Sequence, residues 1–238
     1  MQIAEIIHNA RMRTRSVNYF GTKADPILDE IFKFFRRERL HLSWKKVVLL
    51  GCSAGGNVAL RTLFKQVQVP HVPILIAMHH KPGFDFMIKF EMGNGVFQRI
   101  VPARDGEAIR GSLIYFIPGE YETGFSPGTR SFKMTIPSQP PRFRPEIDRI
   151  FVAAGACFRQ NLMGVILSGM LYDGAEGAKA VYLNRGEVWV QDPLTALFKD
   201  MPATALKVVP QAQVTGLTDI AERINQLSQE TLSIEPVC

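Results

Sequence analysis

Apolar residues along the chain fall into short unbroken runs separated by longer stretches with helical spacing. "KVVLL" (46–50) is too short for a helix and closes on glycine, as a strand buried on both faces does. The stretch "GNVALRTLFKQV" follows, with Val58, Leu60, Leu63, Phe64 and Val67 as the core contacts of a helix. "VPILIAMHH" is a second buried strand. Strand, helix and strand in succession make a βαβ unit and predict a parallel sheet. The same rhythm returns after Pro145. "RPEIDRIFVAAGACF" predicts a helix, "LMGVILSG" a strand, "DGAEGAKAVYLNRG" a helix stopped by Gly186, and "EVWVQ" a strand. "PATALKVV" predicts a helix, "AQVTGL" a last short strand, and "TDIAERINQLSQE" a terminal helix capped by Thr218.

Two regions break the rhythm. Between them, "GSLIYFIPG", the turn "SPGTR" and the alternating "RSFKMTIPS" predict a small antiparallel excursion over about residues 111–136. The proline-rich "PSQPPRFRPE" reads as a surface loop. Residues 1–46 predict helices, one of them opened by Asp25 as cap and Pro26 at its first position. The fold class is therefore α/β: a doubly wound, mostly parallel sheet with helices on both faces. The expected organisation is a basic helical extension over 1–46, a catalytic domain over 47–225 and a tail over 226–238.

Charge changes the picture at one end. The net charge of the 238 residues is +6, and residues 1–46 hold ten Lys or Arg against five Asp or Glu. That excess suits an acidic partner, but no arginine–aromatic interleaving points to nucleic acid. No run approaches the roughly 20 apolar residues that span a bilayer. The N-terminus lacks the apolar core and cleavage site of a secretory signal. Cys52, Cys157 and Cys238 are odd in number and widely spaced, which predicts reduced thiols in a cytoplasmic protein and no zinc site.

In open parallel sheets, reactive groups gather beyond the carboxyl ends of the strands. Ser53 follows "VVLLGC", His79 and His80 follow "VPILIAM", and Asp173 follows "GVILSGMLY". A hydroxyl, an imidazole and a carboxylate at one sheet edge are the parts of a Ser–His–Asp triad. "GCSAG" also fits the nucleophile-elbow formula, with Gly55 and Gly56 opening the next helix and Ala54 N–H as the natural first oxyanion donor. The order Ser, His, Asp excludes an α/β-hydrolase, which runs Ser, Asp, His. The same residues leave other readings open. "GCSAGG" could cradle a phosphate, although it lacks the Gly-x-Gly spacing of a dinucleotide fingerprint. Asp173 could serve only as the cap of the "GAEGAKAV" helix.

Four motifs in series, "GCSAGG", "MHHKPGF", "RPEIDRIF" and "VILSGMLYDGA", resemble the catalytic domain of the chemotaxis protein-glutamate methylesterases, the CheB family. "QDPLTALFKDMPATAL" resembles that family's late glutamine-led loop and Met-Pro helix start. The likeness runs from about Val47 to about Ile224. It implies hydrolysis of glutamyl methyl esters on chemoreceptor cytoplasmic helices and deamidation of certain receptor glutamines, with no metal or organic cofactor. It carries the nucleophile over to Ser53, the base to His79 (five positions before Phe84 of the "PGF") and the orienting carboxylate to Asp173. Met170 then supplies the second oxyanion N–H beside Ala54. Gly55, Gly56, His80, Lys81 and Tyr172 become candidates for the substrate pocket. Ala54 replaces a common threonine and Tyr172 a usual asparagine, while Lys81 sets a cation beside the histidines. Full-length members carry an N-terminal receiver domain, for which 46 residues are too few, so regulation by phosphorylation in cis is not expected. A rival expectation is a non-catalytic module that grips receptor helices or another acidic partner through Arg11–Arg15 and Arg36–Arg39.

Overall fold

The computed structural model describes residues 44–68, 70–80, 100–139 and 142–232. All of the expected N-terminal extension except Trp44–Lys46, and also Lys81, lie outside the described residues. The described elements follow in this order: β1 (Val47–Cys52), α1 (Gly56–Phe64), β2 (Ile74–Met78), β3 (Ile100–Pro102), β4 (Ile114–Phe116), β5 (Glu122–Ser126) and β6 (Ser131–Thr135). Then come α2 (Ile147–Phe158), β7 (Leu162–Ile166), α3 (Ala175–Leu183), β8 (Glu187–Gln191), α4 (Asp200–Val208), β9 (Gln213–Thr215) and α5 (Leu217–Leu232).

Seven strands form one sheet in the order β3-β4-β2-β1-β7-β8-β9. Every neighbouring pair in it is parallel. From β1 the chain winds to one side, through β2. From β7 it winds to the other, through β8. The boundary between β1 and β7 is thus the topological switch point, where a crevice opens beyond the carboxyl ends of the strands.

Side chains alternate across the sheet with the period of two that strands impose. Val48, Leu50 and Cys52 of β1, with Ile74, Ile76 and Met78 of β2, share a buried cluster with Leu60 and Leu63 of α1 and with Ile220, Ile224 and Leu227 of α5. The opposite face meets α2: a Cβ at Gly51 would come within 2.9 Å of Ile147 and Phe151. The central strands β1, β2 and β7 are buried along their whole lengths, which is why they read as unbroken apolar runs. Val58, expected in the core, is half exposed on α1.

The excursion differs from its expected form. "GSLIYFIPG" supplies β4, which lies in the main sheet, parallel to both β2 and β3. The antiparallel partner of β6 is β5, "ETGFS". Polar and half-exposed β5 carries no apolar alternation in sequence, so the fully buried β4 claimed the strand signal. The three-residue β3 was not anticipated.

The terminal helix also runs past the expected boundary at 225. Leu227 is fully buried in the cluster beneath the sheet, and Arg223 ties α5 to β8 through Glu187 at 2.9 Å. Leu227→Ala is expected to destabilise the domain by about 2–5 kcal/mol through lost burial and a residual cavity. Urea unfolding followed by circular dichroism measures this, and an unchanged midpoint would make residues beyond 225 a dispensable tail. Among the described residues, no helix is long and apolar enough to cross a membrane.

Candidate active site

Register brings three strand ends together. Cys52 pairs with Met78 and Gly51 with Ile166, so the next residues out, Ser53, His79 and the Leu167–Ser168 step, are neighbours. His79 N–H donates to Cys52 O at 3.1 Å, and Ser53 N–H donates to Ser168 O at 3.0 Å. Cys52 is buried on the α1 face, where burial pushes its thiol well above the ordinary range. Alternation then sends Ser53 to the α2 side, which separates the two adjacent nucleophile types.

On that side Ser53 Oγ lies 3.0 Å from His79 Nδ1, and His79 Nε2 lies 2.7 Å from Asp173 Oδ2. The carboxylate can only accept, so Nε2 carries the proton and Nδ1 is left to accept the hydroxyl proton. The Asp173 side chain is 3% exposed and that of His79 15%, so solvent competes little with these bonds.

Asp173 does not cap the helix that follows it. Its Oδ2 accepts Ile147 N–H at 2.8 Å and its Oδ1 accepts Asp148 N–H at 2.9 Å, so it caps α2. Asp148 returns the favour to α3: its Oδ1 accepts Gly174 N–H at 2.9 Å and Gly177 N–H at 2.7 Å. The two helix starts therefore clamp each other, and two α2 amides hold the carboxylate facing His79. Burial raises the Asp148 carboxyl above the usual aspartate range, and the Asp173 charge adds to this, while the Gly177 and Gly174 amides pull the other way.

The amides of Ala54 and Met170 make no hydrogen bond among the described residues, so both remain available to an anion. Gly56 N–H is spent on Ser53 O at 2.8 Å, which turns the chain into α1. Gly55 stands at φ 74°, a left-handed conformation natural to glycine, with no room for a Cβ against Ser168 Oγ. Ser168 and Gln191, each 1% exposed, pin the surrounding loops. Ser168 Oγ donates to Ala54 O at 2.9 Å and accepts Phe198 N–H at 3.0 Å, while Gln191 Oε1 accepts Ser168 N–H at 3.0 Å.

Not every pocket candidate faces the crevice. His80 Nε2 accepts Gly119 N–H at 3.1 Å and its ring packs on Phe116, so it braces the β4 side of the sheet. Gly56 is buried against Cys52, where a Cβ would come within 2.7 Å of the sulfur. Tyr172 lies close to His79, linked to it through a residue the sequence did not single out. Phe143 stacks on the His79 ring at 5.0 Å, with the planes 6° apart, and meets Tyr172 edge-on at 5.9 Å. Phe143 sits in the proline-rich loop, where nothing local marks it. Ser168 and Gln191 had a signal: each is a polar residue closing a buried apolar strand. Among the described residues, no cluster of three or more His, Cys, Asp or Glu could hold a metal ion.

Space around the hydroxyl is tight. A Cβ at Gly169 would overlap Met201 Sδ and lie 3.0 Å from Ser53 Cβ. Gly169→Ala is expected to slow fluorophosphonate labelling of Ser53 by about 10²-fold, because a shift of roughly 1 Å disturbs the attack geometry. Labelling at the unaltered rate would show that the loop yields without moving the serine.

Three crossover connections of one parallel sheet thus deliver Ser, His and Asp to a single crevice, in a chain order foreign to α/β-hydrolases. That is the arrangement a serine hydrolase built on a doubly wound sheet would use. Residues 48–224 match the CheB methylesterase family, and the chain belongs to it. A protein-glutamate methylesterase/protein-glutamine glutaminase 1 from Myxococcus xanthus is 32% identical over 187 residues, covering 77% of this chain and 54% of the relative. The corresponding Salmonella typhimurium protein is 26% identical, covering 77% of this chain and 53% of its own. The chain spans about half the length of these two relatives, but 97% of another from Leptospira interrogans, at 32% identity. The Thermotoga maritima CheB methylesterase catalytic domain superposes with a TM-score of 0.71 at 26% identity, over 78% of this chain and 99% of that one.

Proposed function

We propose that this protein is a protein-glutamate methylesterase that hydrolyses glutamyl methyl esters on the cytoplasmic helices of chemoreceptors or a similar acidic protein, and that it acts in the cytoplasm. Ser53 is its nucleophile, His79 its base and Asp173 the group that orients the base. The observation that carries this reading is the hydrogen-bonded line from Asp173 through His79 to Ser53 Oγ, at 2.7 and 3.0 Å.

The chemistry follows from the geometry. His79 Nδ1 takes the hydroxyl proton as Ser53 Oγ bonds to the ester carbonyl carbon, and the imidazolium that forms is stabilised by Asp173. The carbonyl electron pair moves to oxygen, where the Ala54 and Met170 N–H groups receive it. Collapse breaks the bond to methoxide, which takes the proton from Nδ1 and leaves as methanol. Water then repeats the sequence on the acyl-enzyme, giving glutamate and free Ser53. A glutamine side chain in the same place would release ammonia, which is deamidation.

The test is methanol release from a methyl-esterified receptor fragment, with ammonia release from its unmethylated glutamine form in parallel. Methanol in step with appearance of the carboxylate supports the assignment. Labelling of Ser53 by a fluorophosphonate without methanol release would leave a serine hydrolase with another substrate. Failure of the probe to label folded protein would favour a module that only binds.

A further inference from the structure

The Arg142 guanidinium is held over two rings of the crevice wall. Its Cζ lies 5.2 Å from the centre of the Tyr172 ring and 5.6 Å from that of Phe143, the ring stacked on His79. Both contacts are within the range of cation–π attraction. Arg142 is exposed, and among the described residues no carboxylate lies within ion-pair distance of it. A neighbouring arginine behaves differently: Arg149 pairs with Glu122 at 2.6 Å and Glu146 at 2.8 Å. The cation one aromatic ring from the His79 imidazole is thus oriented but, among the described residues, has no anionic partner.

An arginine held over aromatic rings by cation–π attraction spends none of its N–H donors on another acceptor there, and those donors match a carboxylate in a two-pronged geometry. Stacking also restricts the side chain before any ligand arrives, which lowers the entropy cost that makes ordinary surface pairs weak. From these observations we infer that Arg142 is a specificity-determining residue, which pairs with a carboxylate side chain of the substrate polypeptide close to the reacting glutamyl ester. The inference rests on the methylesterase reading for its reaction, and it names what that reading leaves open: the sequence context of the ester.

Arg142 sets a preference between substrates. It takes no part in bond making, so its effect falls on the neighbour of the ester and grows weaker as salt screens the pair. A role confined to propping Phe143 against His79 would instead slow every substrate equally.

The experiment uses the full chain and two synthetic peptides, each with one glutamyl methyl ester. In one the ester is flanked by glutamates; in the other glutamines replace them. The readout is the ratio of kcat/KM for the acidic over the neutral peptide, by methanol release. A ratio of about five is expected for the unaltered protein, the scale of one well-placed ion pair. It should fall to about one in Arg142→Gln, drop below one in Arg142→Glu and be only partly kept in Arg142→Lys, which keeps the charge but lacks the two-pronged fork. A ratio unmoved in Arg142→Glu overturns the inference, even where both rates fall together. If neither peptide releases methanol, the methylesterase reading fails, and Arg142 is judged on peptide binding by fluorescence anisotropy. A preference for the acidic peptide that Arg142→Glu reverses supports the inference, and equal binding of both peptides overturns it.

Discussion

Ser53→Ala is expected to lower methanol release on the order of 10³-fold or more, because the members of such a triad act as a unit. The fold should survive. The structural work at this position is done by the backbone, with Ser53 N–H donating to Ser168 O and Ser53 O accepting from Gly56. The side chain contributes one hydrogen bond, to His79 at 3.0 Å. Its loss costs about 1 kcal/mol of stability. The Ala54 and Met170 amides also remain, so substrate binding should persist while turnover fails. Steady-state methanol release, alongside a thermal melt, separates these quantities. Wild-type release from a folded Ser53→Ala protein would end the proposal of an acyl-enzyme on this serine.

Asp173→Asn is expected to cost about 10³- to 10⁴-fold in kcat, the scale of a wrongly protonated imidazole. The reason is a count of donors. Asp173 accepts from His79 Nε2, from Ile147 N–H and from Asp148 N–H. An asparagine has one accepting oxygen and one donating nitrogen. If its oxygen keeps the Oδ2 position, its amine confronts Asp148 N–H where 2.9 Å now separates donor from acceptor. If it flips, the amine faces His79 and forces the ring proton onto Nδ1, where it blocks uptake of the Ser53 proton. The α2 cap weakens in both cases, by about 1 kcal/mol. As with Ser53→Ala, activity and melting temperature should both fall, here because the α2 cap is weakened. A fully active Asp173→Asn would show that His79 needs no carboxylate to choose its tautomer.

Much of the fold was legible because parallel strands buried on both faces leave continuous apolar runs, as at Val47–Cys52 and Ile74–Met78. The strand swap in the excursion shows the limit of that signal. Ile114–Phe116 is so well buried that it announces a strand, but nothing in three residues says with what it pairs. Glu122–Ser126, polar and half exposed, pairs through its backbone, which composition does not record. Ser53 and His79 were legible for a related reason: each stands just past a buried run, where a polar residue is conspicuous. Asp173, in contrast, lies seven residues beyond the end of β7 and was placed by its motif. His80 and Gly56 were misread because adjacency in sequence says little about facing. Alternation along the strand turned His80 toward Gly119, and the helix start packed Gly56 onto Cys52.

The sequence by itself determined the alternation of strand and helix, the positions of the reactive side chains at strand ends and, through their order, the exclusion of an α/β-hydrolase. These are local properties, set by side-chain burial and by spacing within a few residues. Tertiary structure alone decided that β1 lies beside β7, more than 100 residues later, and so placed Ser53 against Ser168. It also gave Asp173 to the start of α2, laid Phe143 on His79 and set Arg142 at the rim. Contacts of that kind join segments far apart in the chain, and their partners are chosen by sheet order and helix packing, which no stretch of neighbouring residues specifies.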